Sequence, residues 1–140
     1  MITSQRIAAA ALSAAVIASP LATVSAAHAA APAKHWHTIK KWNGAKQQAC
    51  KKPVRQGKAF KIYTRLVNGH ESPIGAGIMV VKDGQPVDRW ATKDLVPEGK
   101  TSKTGSVVLP KDPTYTIEAF QYEGQMGDGG PVKLKRIGRC

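Results

Sequence analysis

The sequence has few of the residues on which catalytic and metal sites depend. It contains two cysteines, four histidines and nine acidic residues in 140 positions, and no segment reads G-x-S-x-G. Nucleophilic catalysis needs a serine, cysteine or threonine beside a base and an orienting group. No such set is evident from the spacing of these residues. We therefore expect no enzymatic activity and no cofactor.

Beyond its N-terminal region, the chain also lacks an apolar run of the roughly 20 residues that cross a bilayer. The one long apolar run, Ile7 to Ala18, follows the single charge Arg6 and precedes small residues. This order is typical of a cleaved secretion signal. We expect residues 1–29 to be the signal, cut after Ala27-His28-Ala29, with Val24-Ser25-Ala26 as a competing site. The protein is then secreted, without a transmembrane segment.

The two cysteines, Cys50 and Cys140, both belong to the part that would be exported. An oxidising compartment favours a disulfide between them, the alternative being free thiols that act as nucleophiles or ligands. The mature chain of about 110 residues suffices for one domain. We expect a basic N-terminal arm or edge strand over 30–49 and a disulfide-closed β domain over 50–140.

Acidic residues are missing from two segments of the mature chain. Residues 34–65 hold ten Lys or Arg, residues 131–140 hold four, and all nine acids lie between Glu71 and Asp128. A bridge from Cys50 to Cys140 would join the two basic segments, so we predict one basic face. Such a face attracts polyanions in a salt-sensitive way; the alternative is a solvated surface that keeps the protein soluble.

Apolar residues alternate with polar ones in several short segments, a pattern of half-buried strands. The alternation is clearest over Lys58–Val67, where Phe60, Ile62, Thr64 and Leu66 share one face. Further strands are predicted over Gly75–Lys82, Pro86–Thr92, Thr104–Leu109, Thr114–Tyr122 and Val132–Ile137, and the segment Lys34–Gly44 is extended. Asn68-Gly69 indicates a turn, and Asp83-Gly84 indicates a tight hairpin. The stretches Lys93–Lys103 and Gly124–Gly130 are predicted to be loops.

These six or seven strands, without a helical period, indicate an all-β protein. A single small β-sandwich is the predicted fold, with a small β-barrel as the alternative. Gly105-Ser-Val-Val-Leu-Pro followed by Tyr115-Thr-Ile-Glu-Ala resembles a strand pair of immunoglobulin-like and prealbumin-like secreted modules. The alanine-rich leader, basic domain and terminal Gly-Arg-Cys also resemble small secreted actinobacterial proteins. Neither resemblance implies a catalytic residue.

Candidate binding residues are basic side chains interleaved with an aromatic ring, a combination that contacts phosphates and stacks on sugars or bases. They are Lys61, Tyr63, Arg65, Lys133, Lys135 and Arg136. Trp36 and Trp42 either extend this surface or anchor the N-terminal arm in the core. An ordinary exposed strand face is the alternative interpretation.

The mature histidines make weak candidates for chemistry. His35 and His37 would point the same way on a strand and offer two imidazoles to a metal, but no third ligand is nearby, so we expect no metal site. His70 follows the Asn68-Gly69 turn, where a solvated loop is the plain interpretation.

The sequence thus favours a secreted basic binding module for an anionic extracellular partner. That partner is a cell-wall polymer, a nucleic acid or an acidic protein; the oligomeric state is undetermined. One alternative is an inhibitor of an extracellular hydrolase that inserts the 93–103 loop into an active site. Another is a cationic antimicrobial or toxin protein.

Overall fold

The computed structural model of the protein describes residues 34–140. They form eight strands and one 3₁₀ turn. These are β1 (His37–Trp42), β2 (Ala45–Val54), β3 (Ala59–Val67), β4 (Gly75–Lys82), β5 (Gln85–Ala91), β6 (Gly105–Pro110), β7 (Tyr115–Glu123), β8 (Met126–Pro131) and the turn Leu134–Arg136. The predicted signal peptide, residues 1–29, lies outside this range. Within residues 34–140 no helix has the length and apolar character needed to cross a membrane.

The strands form two four-stranded antiparallel sheets. The first sheet has the order β1-β2-β3-β6 and the second the order β5-β4-β7-β8. Because the chain crosses between the sheets after β3, β5 and β6, β3 pairs with β6 and β4 with β7. These are Greek-key connections of the kind found in immunoglobulin-like sandwiches. The predicted all-β sandwich is confirmed, with eight strands rather than six or seven.

The core lies between the sheets and is built from alternate residues of the strands. On β3, Ile62, Thr64 and Leu66 are fully buried, while the residues between them remain partly exposed. The predicted period of two is therefore confirmed there. On β4, Ile78 and Val80 are buried, and this strand pairs with a neighbour on each side. Gly75–Lys82 is thus a central strand, as its continuous apolar character predicts.

Two hairpins use a two-residue turn with positive φ. Asp83 (φ 49°) and Gly84 (φ 77°) join β4 to β5, which confirms the predicted hairpin. Asn43 (φ 44°) and Gly44 (φ 78°) join β1 to β2 in the same way. Asn-Gly is the preferred pair for this turn. The Asn43-Gly44 dipeptide therefore indicates a hairpin that the prediction lacks, since Lys34–Gly44 is predicted only as an extended edge strand or arm.

Strand β2 is the longest strand and has no counterpart among the predicted strands. Its first half is polar, and Gln47 points into the core, where Nε2 donates a hydrogen bond to the Gly77 carbonyl at 2.9 Å. A buried glutamine breaks the apolar alternation by which a strand is recognised. β2 runs across the predicted boundary between the arm (30–49) and the β domain (50–140).

The predicted glycine-rich loop over residues 124–130 is wrong, because most of it forms the edge strand β8. Gly127 and Gly129 lie directly opposite Tyr122 and Phe120 of β7. A Cβ atom at Gly127 would lie 2.9 Å from the Gln121 carbonyl oxygen, and one at Gly129 would lie 3.3 Å from Phe120 Cβ. Glycine thus makes room in this strand beside a row of aromatic side chains.

The predicted strand over residues 132–137 is also wrong. The chain there crosses from the second sheet to the first through the 3₁₀ turn, and Ile137 is fully buried in the core. Beyond it, Lys51 N donates to the Gly138 carbonyl and Cys140 N donates to the Lys51 carbonyl. The predicted disulfide between Cys50 and Cys140 is present and covalently closes this side of the sandwich.

Candidate anion-binding face

Charge is divided between the two sheets. The strands of the first sheet carry seven basic residues and no acidic residue: Lys40, Lys41, Lys46, Lys51, Lys52, Lys61 and Arg65. The strands of the second sheet carry two basic residues, Lys82 and Arg89, against four acidic ones, Asp88, Glu118, Glu123 and Asp128. The first sheet therefore forms a basic side of the sandwich, and all of its basic residues come from the single segment 40–65.

Strand register shows which of these side chains point outward. Ile62 and Leu66 of β3 are buried, so Lys61, Tyr63 and Arg65 lie on the outer face of the first sheet. Their register partners on β2 share that face, and so do Lys46, which pairs with Val67, and its partner on β1. These residues are Lys41, Lys46, Gln48, Cys50 and Lys52. Cys50 is nonetheless fully buried. We call this surface the outer basic face.

A row of alternating cations and aromatic rings crosses the outer basic face. Arg65 Cζ lies 4.4 Å from the centroid of the Trp36 ring, and Lys34 Nζ lies 4.3 Å from the Tyr63 ring. Lys34 Nζ also lies 6.0 Å from Trp36, and Lys61 Nζ lies 5.4 Å from Tyr63. The predicted residues Lys61, Tyr63 and Arg65 are thus adjoined by Lys34 and Trp36 from the segment before β1.

Arg65 has the most constrained side chain in this row. Its Nε donates a hydrogen bond to Gln48 Oε1 at 2.9 Å while the guanidinium covers the Trp36 ring. Partial burial lowers the pKa of Arg65 from its ordinary value, which is so high that the group stays charged. A guanidinium oriented in this way offers its remaining N–H groups to an anion.

Two pairs of lysines lie directly opposite each other on this face. Lys41 is the register partner of Lys46, and Lys52 is the register partner of Lys61. Like charges in directly opposed positions of a sheet destabilise it. Within residues 34–140 the structure has one ion pair, in which Lys40 Nζ lies 2.6 Å from Asp128 Oδ2, and Lys40 does not belong to the outer face. The repulsion on the outer face is therefore not neutralised by described acidic side chains.

The other three candidate residues lie outside the row of cations and rings on the outer basic face. Lys133, Lys135 and Arg136 lie at the crossover that contains the 3₁₀ turn. Arg136 lines a groove together with Lys40 and Lys41 of β1, whereas Lys133 lines a separate groove at one end of the sandwich. The six predicted residues are thus distributed over the outer face and the crossover.

The sequence did not decide whether Trp36 and Trp42 belong to the surface or to the core. The structure places them differently. Trp36 belongs to the outer row of cations and rings. Trp42 packs against the smaller of the two core clusters, beside Leu66 and Ile74. One tryptophan therefore extends the basic surface and the other anchors the N-terminal segment.

His35, His37 and His70 have separate surroundings. His37 lies against the backbone of Gly138, His35 is exposed, and no group of three metal-ligating side chains occurs within residues 34–140. His70 Nδ1 accepts a hydrogen bond from the Ser72 backbone N–H at 3.0 Å. This bond belongs to the loop that leads from β3 to β4.

The segment Lys93–Lys103 follows β5 and contains no strand, as predicted for a loop. It is held to the sandwich at its middle: the Asn68 side chain donates to the Val96 carbonyl at 2.8 Å, and Ile74 pairs with Val96. The loop borders a groove of about 450 Å³ that includes Trp90. Fixed at these points, it presents a constrained conformation to solvent.

The fold and this surface define a disulfide-closed β-sandwich with one basic sheet. Comparison with known proteins adds no relative: no protein family, curated protein or solved structure matches the chain.

Proposed function

We propose that this chain is a secreted binding module that holds an anionic polymer on its outer basic face. The observation that carries the proposal is the direct cross-strand opposition of two lysine pairs, Lys41 with Lys46 and Lys52 with Lys61, in strands without acidic residues. A sheet selected only for stability would separate such charges or pair them with acids. A bound polyanion would relieve the repulsion.

The extent of the face favours a polymer over a single small anion. Lys46 and Lys52 are six residues apart on β2, which corresponds to about 20 Å because a strand advances about 3.3 Å per residue. Lys61 and Arg65 run beside this line on the neighbouring strand, and Lys34 lies over Tyr63 between them. Cations distributed in this way match repeated phosphate, sulfate or carboxylate groups.

Aromatic rings in the row support the same partner in a second way. The rings of Trp36 and Tyr63 hold the side chains of Arg65 and Lys34 against the sheet. A cation that is already held loses less conformational freedom when an anion binds. A cell-wall polymer, a nucleic acid and an acidic protein all carry suitable charge, and the binding experiment distinguishes them.

The test measures binding of the purified protein to cell walls, heparin and DNA over a series of salt concentrations. We compare it with the triple variant Lys52→Gln, Lys61→Gln, Arg65→Gln. We expect saturable binding that weakens with salt, and a slope of log K against log salt that becomes shallower by about 2 to 3 in the variant, since each phosphate contact contributes about 0.9.

A matched control carries the same loss of charge on the 93–103 loop: Lys93→Gln, Lys100→Gln, Lys103→Gln. If both triple variants lose affinity equally, only net charge matters and the outer basic face is not the site. An unaffected first variant also contradicts the proposal. A third variant, with Lys133, Lys135 and Arg136 all changed to Gln, measures the contribution of the crossover.

A further inference from the structure

A second surface, at the end of the sandwich where β3 begins and β6 stops, combines apolar walls with a basic rim. A groove of about 600 Å³ opens there between the two sheets. This volume lies in the range of about 300 to 1,000 Å³ that is typical of small-molecule sites. Its floor includes the buried residues Leu109 and Ile117, so the groove reaches the main core.

The walls are apolar and aromatic. Phe60 and Tyr115 line the groove from β3 and β7, and Val132 and Leu134 line it from the crossover. All four are partly buried against the main core cluster and leave part of their surface open. The groove therefore offers contact to an apolar molecule without any rearrangement of the core.

Lysine ammonium groups surround the apolar part of this groove. Lys111 Nζ lies 4.5 Å and Lys51 Nζ 5.6 Å from the centroid of the Phe60 ring, and Lys82 Nζ lies 5.1 Å from that of Tyr115. Lys133 also lines the groove.

The one acidic side chain among the lining residues is Asp112. Its carboxylate accepts two hydrogen bonds from Thr114, at 2.9 and 2.7 Å, and those bonds, followed by the charge of Lys82, lower the pKa of Asp112. The rim keeps a net positive charge.

Lys51 is a partly buried cation that lies beside the groove. Its Nζ donates a hydrogen bond to the Leu134 carbonyl at 2.7 Å. Partial burial, and then the nearby charge of Arg139, lower the pKa of Lys51. A negative charge placed in the groove would offset both effects.

We propose that this groove binds a small amphiphilic carboxylate, a molecule with a medium-length alkyl body and one anionic group. The alkyl body lies between Phe60, Tyr115 and Leu134, and the carboxylate faces the ammonium groups of Lys51 and Lys111. The charge complementarity of the rim excludes an amphiphile with a cationic head. This site is separate from the outer basic face, so either proposal can fail without the other.

The test titrates the purified protein with sodium decanoate below its micelle concentration and follows backbone amide chemical shifts. Decanol supplies the same chain without the charge, and decyltrimethylammonium supplies the opposite charge. We expect saturable shifts at Ile117 and Leu134 with decanoate, affinity at least about tenfold lower with decanol because a charged contact is lost, and no saturation with the cation. Equal affinity for decanol, or shifts confined to outer-face residues such as Gln48, Tyr63 and Arg65, would overturn the proposal.

Variants separate the groove from general charge. Lys111→Gln with Lys133→Gln removes two rim cations, and Lys41→Gln with Lys46→Gln removes two cations from the outer basic face. We expect about tenfold weaker decanoate binding in the first pair and no change in the second. Val132→Phe, which fills the groove without changing charge, should abolish binding. The assignment would be contradicted if the two lysine pairs had equal effects. It would also be contradicted if the Val132→Phe variant, with its amide spectrum unchanged elsewhere, still bound decanoate fully.

Discussion

Two buried glutamines give the core a polar centre. Gln47 and Gln121 are both fully buried, and each Nε2 donates to an acceptor: Gln47 to Gly77 O at 2.9 Å, Gln121 to Lys40 O at 3.4 Å. Within residues 34–140, neither Oε1 has a hydrogen-bond partner. An unpaired buried acceptor costs about 1 to 3 kcal/mol. At Gln121, where the one hydrogen bond is long, we expect this cost to exceed the stabilisation that the amide hydrogen bond provides.

We predict that Gln121→Met leaves the free energy of unfolding unchanged or raises it by about 1 kcal/mol, because methionine keeps the volume and removes the unpaired oxygen. Gln121→Ala should lower it by about 2 to 4 kcal/mol through the cavity that it leaves. Urea denaturation of both variants measures the difference. If Met and Ala are equally destabilising, the Gln121 amide is fully satisfied in solution.

The pairing of β2 with β3 contains a conflict between stability and charge. Ala49 and Thr64 are partners on the inner face, where both are buried, whereas Lys52 and Lys61 are partners on the outer face. The first pair supports the sandwich and the second opposes it. A strand can hold such a lysine pair because the buried residues on its other face fix the register.

We predict that Lys52→Thr raises the free energy of unfolding by about 0.2 to 1 kcal/mol, since it removes a directly opposed like charge and introduces a β-branched residue. Added salt should stabilise the native protein more than this variant, because screening acts on the same repulsion. Polyanion binding should weaken at the same time. Urea denaturation at low and high salt gives the first two quantities, and a variant no more stable than the native protein would show that the lysines already avoid each other.

At the scale of the molecule, the C-terminal crossover holds the two sheets together along one side. Ile137 inserts into the core, and Cys140 is bonded to β2 by its backbone N–H and by the disulfide. On the opposite side, Val108 N of β6 donates to Asp88 Oδ2 of β5 at 2.7 Å. One side of the sandwich is therefore closed covalently and the other by a charge-assisted hydrogen bond.

We predict that the double variant Cys50→Ala, Cys140→Ala lowers the free energy of unfolding by about 4 to 5 kcal/mol, the loop-entropy value for a closed loop of this size. The residues that it joins are 90 apart in sequence. Ile137→Ala, with the disulfide intact, should cost about 2 to 4 kcal/mol through lost packing. Urea denaturation of both separates the covalent contribution from the packing contribution. A loss below about 1 kcal/mol in the cysteine variant would mean that the unfolded chain gains little freedom.

Local sequence patterns were sufficient to predict the elements that do not depend on contacts with distant residues. The alternation in β3 and the Asp83-Gly84 hairpin needed no knowledge of distant residues, because the strand period and the turn dihedrals are local properties. The outward direction of Lys61, Tyr63 and Arg65 followed from the same period. β2 and β8 were missed because a buried Gln47 and the glycines opposite aromatic rings depend on neighbouring strands.

The fold class, the cysteine pairing and the division of charge along the chain were therefore decided by residue order alone, because period, redox chemistry and charge do not depend on the packing. The tertiary structure decided which basic side chains lie together on one surface. It placed Lys34 and Trp36 over β3, and it separated Arg65 from Lys133 although the disulfide joins their segments. The physical reason is that a disulfide fixes the distance between two points, whereas the face on which each following side chain lies is set by strand pairing and by the path of the crossover.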